Sequence, residues 1–192
     1  MRIIAGKGKG KRLKTVSGFH VRPTTDRVKE SVFQVIGPYL EGGWVLDLFA
    51  GSGSLGLEAL SRGADHAVFV DQSGASLRVV RENLRITGFE GQAEVYRRDA
   101  RAALRALTKR EARFRYIFLD PPYREPILTE VLQQIAQDGL LEPLGTVVAE
   151  RASDTPLNPC YGKLTRVRSL EFGDIAVDLY QMGDPVDGGE GE

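Results

Sequence analysis

Cysteine is nearly missing from this 192-residue chain, with Cys160 standing alone. A single thiol excludes an internal disulfide and any thiolate metal cluster. Histidine is almost as scarce. His20 and His66 are too isolated to suggest a zinc site, so no metal is expected. Long apolar runs are also absent: no window approaches the roughly 18 continuous apolar residues of a membrane-spanning helix. The first residues include Lys and Arg, but Gly8, Lys9, Gly10, Lys11 and Arg12 stand where an export signal would carry its apolar core. A cytoplasmic protein with no membrane role is therefore expected. The length, with a hydrophobic content of 42%, suits one main domain with a small appendage.

Net charge is absent from the total yet present locally. Between residues 1 and 30 nine Lys or Arg face only Asp26 and Glu30. Arg2–Ala5 and Arg12–Val16 are expected to pair as a short hairpin around a flexible Gly/Lys-rich tip over 6–11. Exposed cations there suit a polyanionic backbone, making Arg2, Lys7, Lys9, Lys11, Arg12 and Lys14 candidate nucleic-acid contacts, with Arg22 and Arg27 beyond them. Arg97, Arg98, Arg101 and Arg105 either extend that surface or form an ordinary solvated helix face. Residues 183–192 carry Asp184, Asp187, Glu190 and Glu192 among glycines, a composition expected to stay disordered. The expected division is a basic arm over 1–24, a main domain over 25–182 and an acidic tail over 183–192.

From Asp26 to Ile36, Val28, Val32, Val35 and Ile36 recur at helical spacing, with Lys29 and Glu30 turned away from that stripe. Thereafter strand and helix alternate. Strands are predicted at 44–49, 67–71, 93–96, 116–120 and 146–150, and helices at 55–61, 75–86, 101–107 and 127–137. The alternation predicts an α/β fold with a mostly parallel sheet covered on both faces. Segments 163–170 and 175–181 complete seven strands as an antiparallel final hairpin.

Two loops carry chemistry. In Asp47-Leu48-Phe49-Ala50-Gly51-Ser52-Gly53, the glycines after the first strand permit a sharp turn and close ligand approach. Asp47 can face a ligand amino group or bound water, or serve as a capping residue. Asp71, closing the second strand, can bind ribose hydroxyls, with Gln72 at the same edge. Asp99 can accept from an adenine amino group while the Ala100 N–H serves a ring nitrogen, although Asp99 as a helix cap reads almost equally well. Gly51-Ser52-Gly53-Ser54-Leu55-Gly56 also fits the dinucleotide pattern, so this loop alone leaves nicotinamide dinucleotide and S-adenosylmethionine open.

The second loop decides between them. Tyr116-Ile117-Phe118-Leu119 runs into Asp120-Pro121-Pro122-Tyr123. Asp120 and the Pro121 carbonyl can each accept a hydrogen from a planar amine, directing its lone pair toward an activated methyl. The prolines stiffen the loop and Tyr123 can stack on a base. Such a loop offers nothing to hydride transfer, and without a cysteine it disfavours covalent attack on a base carbon. Methylation of an exocyclic base amine is expected, by direct transfer from S-adenosylmethionine with S-adenosylhomocysteine as product.

In combination, Met1-Arg2-Ile3-Ile4-Ala5-Gly6, Arg22-Pro23-Thr24-Thr25-Asp26-Arg27-Val28-Lys29-Glu30, the 47–53 loop and Asp120–Tyr123 closely resemble the bacterial 16S ribosomal RNA guanine-N2 methyltransferase family RsmD. The resemblance covers about residues 1–181 and implies a class I S-adenosylmethionine-dependent methyltransferase fold, Rossmann-like, with a small N-terminal hairpin arm. It implies methylation of N2 of guanine 966 on an assembled or late-assembly 30S subunit; a monomer is expected, although the sequence leaves a weak dimer open. It places Asp47, Gly51, Gly53, Asp71 and Asp99 around the cofactor and Asp120, Pro121 and Tyr123 around the guanine; Phe49, Ala50, Ser52, Gln72 and Ala100 are further cofactor candidates, and Pro122 completes the acceptor loop. DNA adenine-N6 methylation shares the Asp-Pro-Pro-Tyr chemistry, but the chain leaves little room for a target-recognition domain. An assembly factor that has lost catalysis is a third reading, opposed by the intact Asp120 and glycine loop.

Overall fold

The structure, a computed structural model, describes residues 1–17, 25–122 and 126–183. Arg22, Tyr123 and the acidic tail from Asp184 onward lie outside the described residues. The strands are β1 (Trp44–Asp47), β2 (His66–Asp71), β3 (Ala93–Arg97), β4 (Phe114–Leu119), β5 (Leu141–Ala152), β6 (Cys160–Tyr161), β7 (Leu164–Phe172) and β8 (Ile175–Met182). The α-helices are α1 (Asp26–Ile36), α2 (Ser54–Ser61), α3 (Gly74–Thr87), α4 (Ala100–Lys109) and α5 (Ile127–Asp138).

Eight strands form one sheet in the order β3-β2-β1-β4-β5-β8-β7-β6. The first five are mutually parallel, while β8 pairs antiparallel with β5 and with β7. This is the class I methyltransferase arrangement, a Rossmann-like sheet closed by an antiparallel hairpin. Successive side chains in a strand point to opposite faces, and here both faces are covered. Val45, Phe69, Phe118 and Val148 join the core under α1, α2 and α3. Leu46, Val68, Leu119 and Ala149 join the core under α4 and α5. Two covered faces explain why these strands read as continuous apolar runs.

Three differences from expectation have local causes. The sheet has an eighth strand, β6, whose two residues are too few to show a period; Tyr161 fixes it by packing on Tyr180 at 5.8 Å between ring centroids. Strand β5 begins at Leu141 instead of Thr146, because Pro143 and Gly145 break the apolar pattern beside a register shift between Phe114 and Tyr116. The N-terminal hairpin shrinks to one bridge, Arg2 with Arg12, flanked by Ile3 N–H to the Lys11 carbonyl at 2.9 Å and Leu13 N–H to the Met1 carbonyl at 3.0 Å.

Nor does the 6–11 tip hang free. Ile3 and Leu13 are buried, Lys7 N–H donates to the Ser61 carbonyl at 2.9 Å, and Gly8 N–H donates to Ser61 Oγ at 2.9 Å. At Gly6, with φ of 88°, an added Cβ would lie 1.8 Å from the Ser61 carbonyl oxygen, so only glycine lets the chain press so closely on the end of α2. Asn83 of α3 holds the far end, accepting from Lys14 N–H at 2.7 Å and donating to the Lys14 carbonyl at 2.9 Å.

Lys29 is the sharpest departure: it is fully buried. Its Nζ donates to the Arg2 carbonyl at 2.7 Å and to Ser54 Oγ at 3.0 Å, and lies 3.8 Å from Glu58 Oε2. Burial pulls the ammonium's pKa down, opposed by the nearby Glu58 and Asp26 carboxylates. Glu58, also fully buried, accepts from Ile4 N–H at 3.1 Å and from Arg62 Nε at 3.0 Å. Arg62 in turn donates to the Pro38 carbonyl at 3.0 Å and lies over the Phe33 ring. One carboxylate thus joins the N-terminal segment, α1 and α2. Glu58→Gln leaves two buried cations without their counter-charge and is expected to lower stability by about 3–5 kcal/mol. Urea unfolding followed by circular dichroism measures this, and a loss below about 1 kcal/mol would show that the cluster behaves as a surface pair.

Candidate active site

A cavity of about 1300 Å³ opens beyond the carboxyl ends of β1, β2, β4 and β5. It lies where the strand order reverses between β1 and β4, the place at which open α/β sheets bind ligands. The loop after β1 supplies one wall. Ala50 N–H donates to the Val70 carbonyl at 2.9 Å and Gly53 N–H to the Ala50 carbonyl at 2.7 Å, which fold the loop back on itself. Gly51, with φ of 56°, takes the left-handed conformation, and a Cβ there would meet nothing within 4 Å. Its N–H donates to Asp71 Oδ2 at 2.9 Å, and Ser73 N–H donates to Asp71 Oδ1 at 2.8 Å. Asp71 therefore fastens the β1 loop to the β2 loop while each carboxylate oxygen keeps a lone pair for a ligand hydroxyl.

Asp47 is almost wholly buried and accepts from the Gly56 N–H at 3.1 Å. Burial pushes its carboxyl up to about 8; the Gly56 hydrogen bond opposes the rise, and the Asp120 and Asp71 charges add to it. All three acids line the cavity. A cation bound here would offset the charges that raise the Asp47 pKa, so the three carboxyl groups suit a ligand carrying positive charge beside a ribose, as S-adenosylmethionine does.

Phe49, Ala50, Gly51, Ser52, Gln72 and Ala100 line the same space. Asp99 is engaged elsewhere: it caps α4, accepting from Arg101 N–H at 3.0 Å and Ala102 N–H at 3.4 Å, and receives Gln72 Nε2 at 2.8 Å. The Arg101 side-chain hydrogen bond holds the Asp99 carboxyl below its usual range. Arg101 also reaches Glu130 at 3.0 Å, which makes it a helix-surface ion pair; Arg98 is the residue of that group that lines the cavity.

Across from the glycine loop stand Asp120, Pro121 and Pro122. Strands β1 and β4 are neighbours, with Asp47 opposite Phe118, so the two sequence-predicted loops emerge side by side. The basic candidates Arg2, Lys7, Lys9, Lys11, Arg12, Lys14 and Arg27 are spread over the N-terminal segment and the start of α1. Some are engaged on the protein itself: Lys14 pairs with Glu82, Arg2 lies 3.9 Å from Asp26, and Lys11 Nζ is 3.5 Å from the Thr87 carbonyl. His66 takes no part in the site, stacking on Trp44 and meeting Glu94 at 2.6 Å.

A further wall was not apparent from the sequence. Residues 150–157, after the core of β5, and Asp174 with Ile175 in the β7–β8 turn all line the cavity. Their support is Asp178, fully buried in β8, which accepts from Arg151 Nε at 2.7 Å and from Ser169 Oγ. Arg151 then donates to the Ala152 and Ser153 carbonyls, each at 3.2 Å, and so fixes the turn out of β5. The available signal was Asp178 itself, one acid inside the apolar run 175–180.

The Asp47 carboxyl has a folded-state value near 8, above its ordinary 3.8. The fold thus favours the protonated form. That contribution is complete below about pH 4 and lost as pH rises toward about 8. Relative to Asp47→Asn, the wild-type protein is expected to lose stability across this window in urea unfolding; parallel pH curves for the two proteins would contradict the assignment.

Residues 1–181 match the family described as Conserved hypothetical protein 95. The Bacillus subtilis protein YlbH is 48% identical over 181 residues, covering 94% of this chain and 98% of that protein. Ribosomal RNA small subunit methyltransferase D of Escherichia coli K12 is 35% identical over 183 residues, covering 94% and 89%. The solved structure of Escherichia coli yhhF superposes with a TM-score of 0.82 at 31% identity, covering 95% of this chain and 98% of that one. With a match over residues 1–181, a shared sheet and a cavity at its switch point, the chain belongs to the Conserved hypothetical protein 95 family and has the fold of S-adenosylmethionine-dependent methyltransferases.

Proposed function

We propose that the protein methylates the exocyclic N2 amine of a guanine in 16S ribosomal RNA, position 966, on an assembled or late-assembly 30S subunit. One observation carries this reading: the glycine loop after β1 and the Asp120-Pro121-Pro122 loop after β4 leave adjacent parallel strands and open into one cavity. A full-length relative named ribosomal RNA small subunit methyltransferase D supports the choice of RNA.

S-adenosylmethionine supplies an activated methyl group when bound. The residues of this chain bind and orient. Asp71 and Gln72 serve the ribose edge, Ala100 the adenine, and Phe49 to Gly53 the wall between them, while Asp99 holds Gln72 and the start of α4 in place. Asp47, protonated in the empty fold, would give up its proton more readily beside a cationic ligand and so favour its retention. Asp120 accepts one hydrogen of the guanine amine and the Pro121 carbonyl the other, leaving the lone pair aimed at the methyl. Pro122 stiffens the loop, and Tyr123, outside the described residues, supplies the stacking surface. The amine proton is lost toward Asp120 or water as the carbon–nitrogen bond forms. A guanine reaches this recess only by leaving its stack, which the cations of the N-terminal segment assist by holding the flanking backbone. On this reading a monomer acts in the cytoplasm on its ribosomal substrate; among the described residues no helix is long and apolar enough to cross a membrane.

The direct test is tritiated methyl transfer to unmodified 30S subunits, naked 16S RNA and DNA, with nucleoside mapping of the product. N2-methylguanine at one site on 30S is expected; N6-methyladenine in DNA overturns the substrate assignment. Asp120→Ala is expected to lose about 100-fold or more of the transfer rate while keeping RNA affinity; wild-type turnover would remove the amine clamp. Neutralising Lys7, Lys9 and Lys11 together should weaken 30S binding and flatten its salt dependence by roughly 0.7–0.9 in log–log slope for each phosphate no longer neutralised. Superimposable salt titrations would take the segment out of the recognition surface.

A further inference from the structure

A second carboxylate stands beside Asp120. In the pairing of β4 with β5, Leu119 lies opposite Ala149, which brings Asp120 and Glu150 next to each other one residue further along. Side chains alternate along a strand, and Phe118 and Val148 share the core on the α1 side of the sheet. Asp120 and Glu150 continue that same face past the end of the core, and both line the cavity. Neighbouring strands run about 4.8 Å apart, close enough for two carboxylates on the same face to converge on one edge of a purine. Glu150 is half-buried, and its backbone is paired to β8, where it lies opposite Val177. The adjoining Arg151 is locked by Asp178, so the strand end has little freedom to shift.

We propose that Glu150 is a specificity-determining residue that reads the Watson–Crick edge of the acceptor base, accepting the N1–H of guanine while Asp120 holds the neighbouring N2 amine. The inference rests on the proposed guanine-N2 activity and deepens it. Guanine presents two adjacent donors, N1–H and N2–H, which two side-by-side carboxylates match. Adenine presents a lone pair at N1, which a carboxylate repels. Discrimination between these amine substrates, which Asp-Pro-Pro-Tyr alone does not supply, would thus come from the next strand.

The test uses 30S subunits reconstituted with 16S RNA carrying either guanine or 2-aminopurine at the target. The analogue keeps the 2-amine but replaces N1–H by a lone pair. Wild-type protein is expected to favour guanine by about tenfold to a hundredfold in kcat/KM. Glu150→Ala should erase most of that preference by losing activity on guanine alone, and Glu150→Gln should restore part of it, since its carbonyl accepts N1–H. S-adenosylmethionine affinity, measured by calorimetry, should stay within about twofold, separating base reading from a damaged fold. An unchanged guanine preference in Glu150→Ala, or equal losses on both bases, overturns the inference and leaves Glu150 a structural residue. Absence of guanine methylation by the wild-type protein instead overturns the underlying activity, and this inference with it.

Discussion

A single buried carboxylate, Glu58, holds together parts of the chain that hydrophobic packing alone would leave loosely joined. It sits in the middle of α2, a helix buried at every residue, and neutralises Lys29 from α1 and Arg62 from its own C-cap. It also accepts the backbone N–H groups of Ile4 and Ala5. Buried charges are costly unless each has a partner. The cluster therefore permits essentially one docking of the N-terminal segment and one placement of α1 against α2. The glycine loop that leads into α2 inherits that rigidity. So does the site, because Thr15, Val16 and Ser17 of the docked segment form part of the cavity wall.

Around that frame the chemistry follows from topology. The chain winds outward through β2 and β3, returns to β4 beside β1, and thereby leaves a gap between two sets of loops. Acidic side chains collect in it: Asp47, Asp71 and Asp120 are close enough for the second and third to raise the pKa of the first. Like charges gathered this way repel one another, and a cationic ligand turns the repulsion into an attraction. A substrate with hydrogen-bond donors along one edge gains from the same oxygens. The proposed affinities for a positive cofactor and for an amine-bearing base thus draw on one electrostatic feature.

Much of the scaffold could be read from the chain because local signals agreed with the final packing. Thr25 caps α1 through the Val28 N–H, and the helix ends at Ile36, as the periodicity indicates. Asp47, Gly51, Asp71 and Asp120 were legible because each terminates an apolar strand or opens the loop after it, positions that a parallel sheet brings to one end. What escaped depended on partners distant in sequence. The burial of Lys29, which reads only as turned away from the α1 stripe, was hidden because Glu58 belongs to another element; the short β6 and the broken start of β5 lack a usable period. The wall built from residues 150–157 was hidden for a different reason: its position requires knowing that β8 lies between β5 and β7.

That placement of β8 bears on how the molecule comes into being. The last strand of the described chain occupies an interior position in the sheet, with β5 on one side and β7 on the other. During vectorial synthesis, the N-terminal segment, α1, α2 and the first five strands can assemble while β5 still presents an unpaired edge. Only when Ile175–Met182 has emerged does that edge close, and with it arrive Asp178 to fix Arg151 and the Asp174 turn to complete the cavity. A chain that has not yet placed β8 would hold the glycine loop without this support for the opposing wall, so the finished cavity depends on the arrival of that strand.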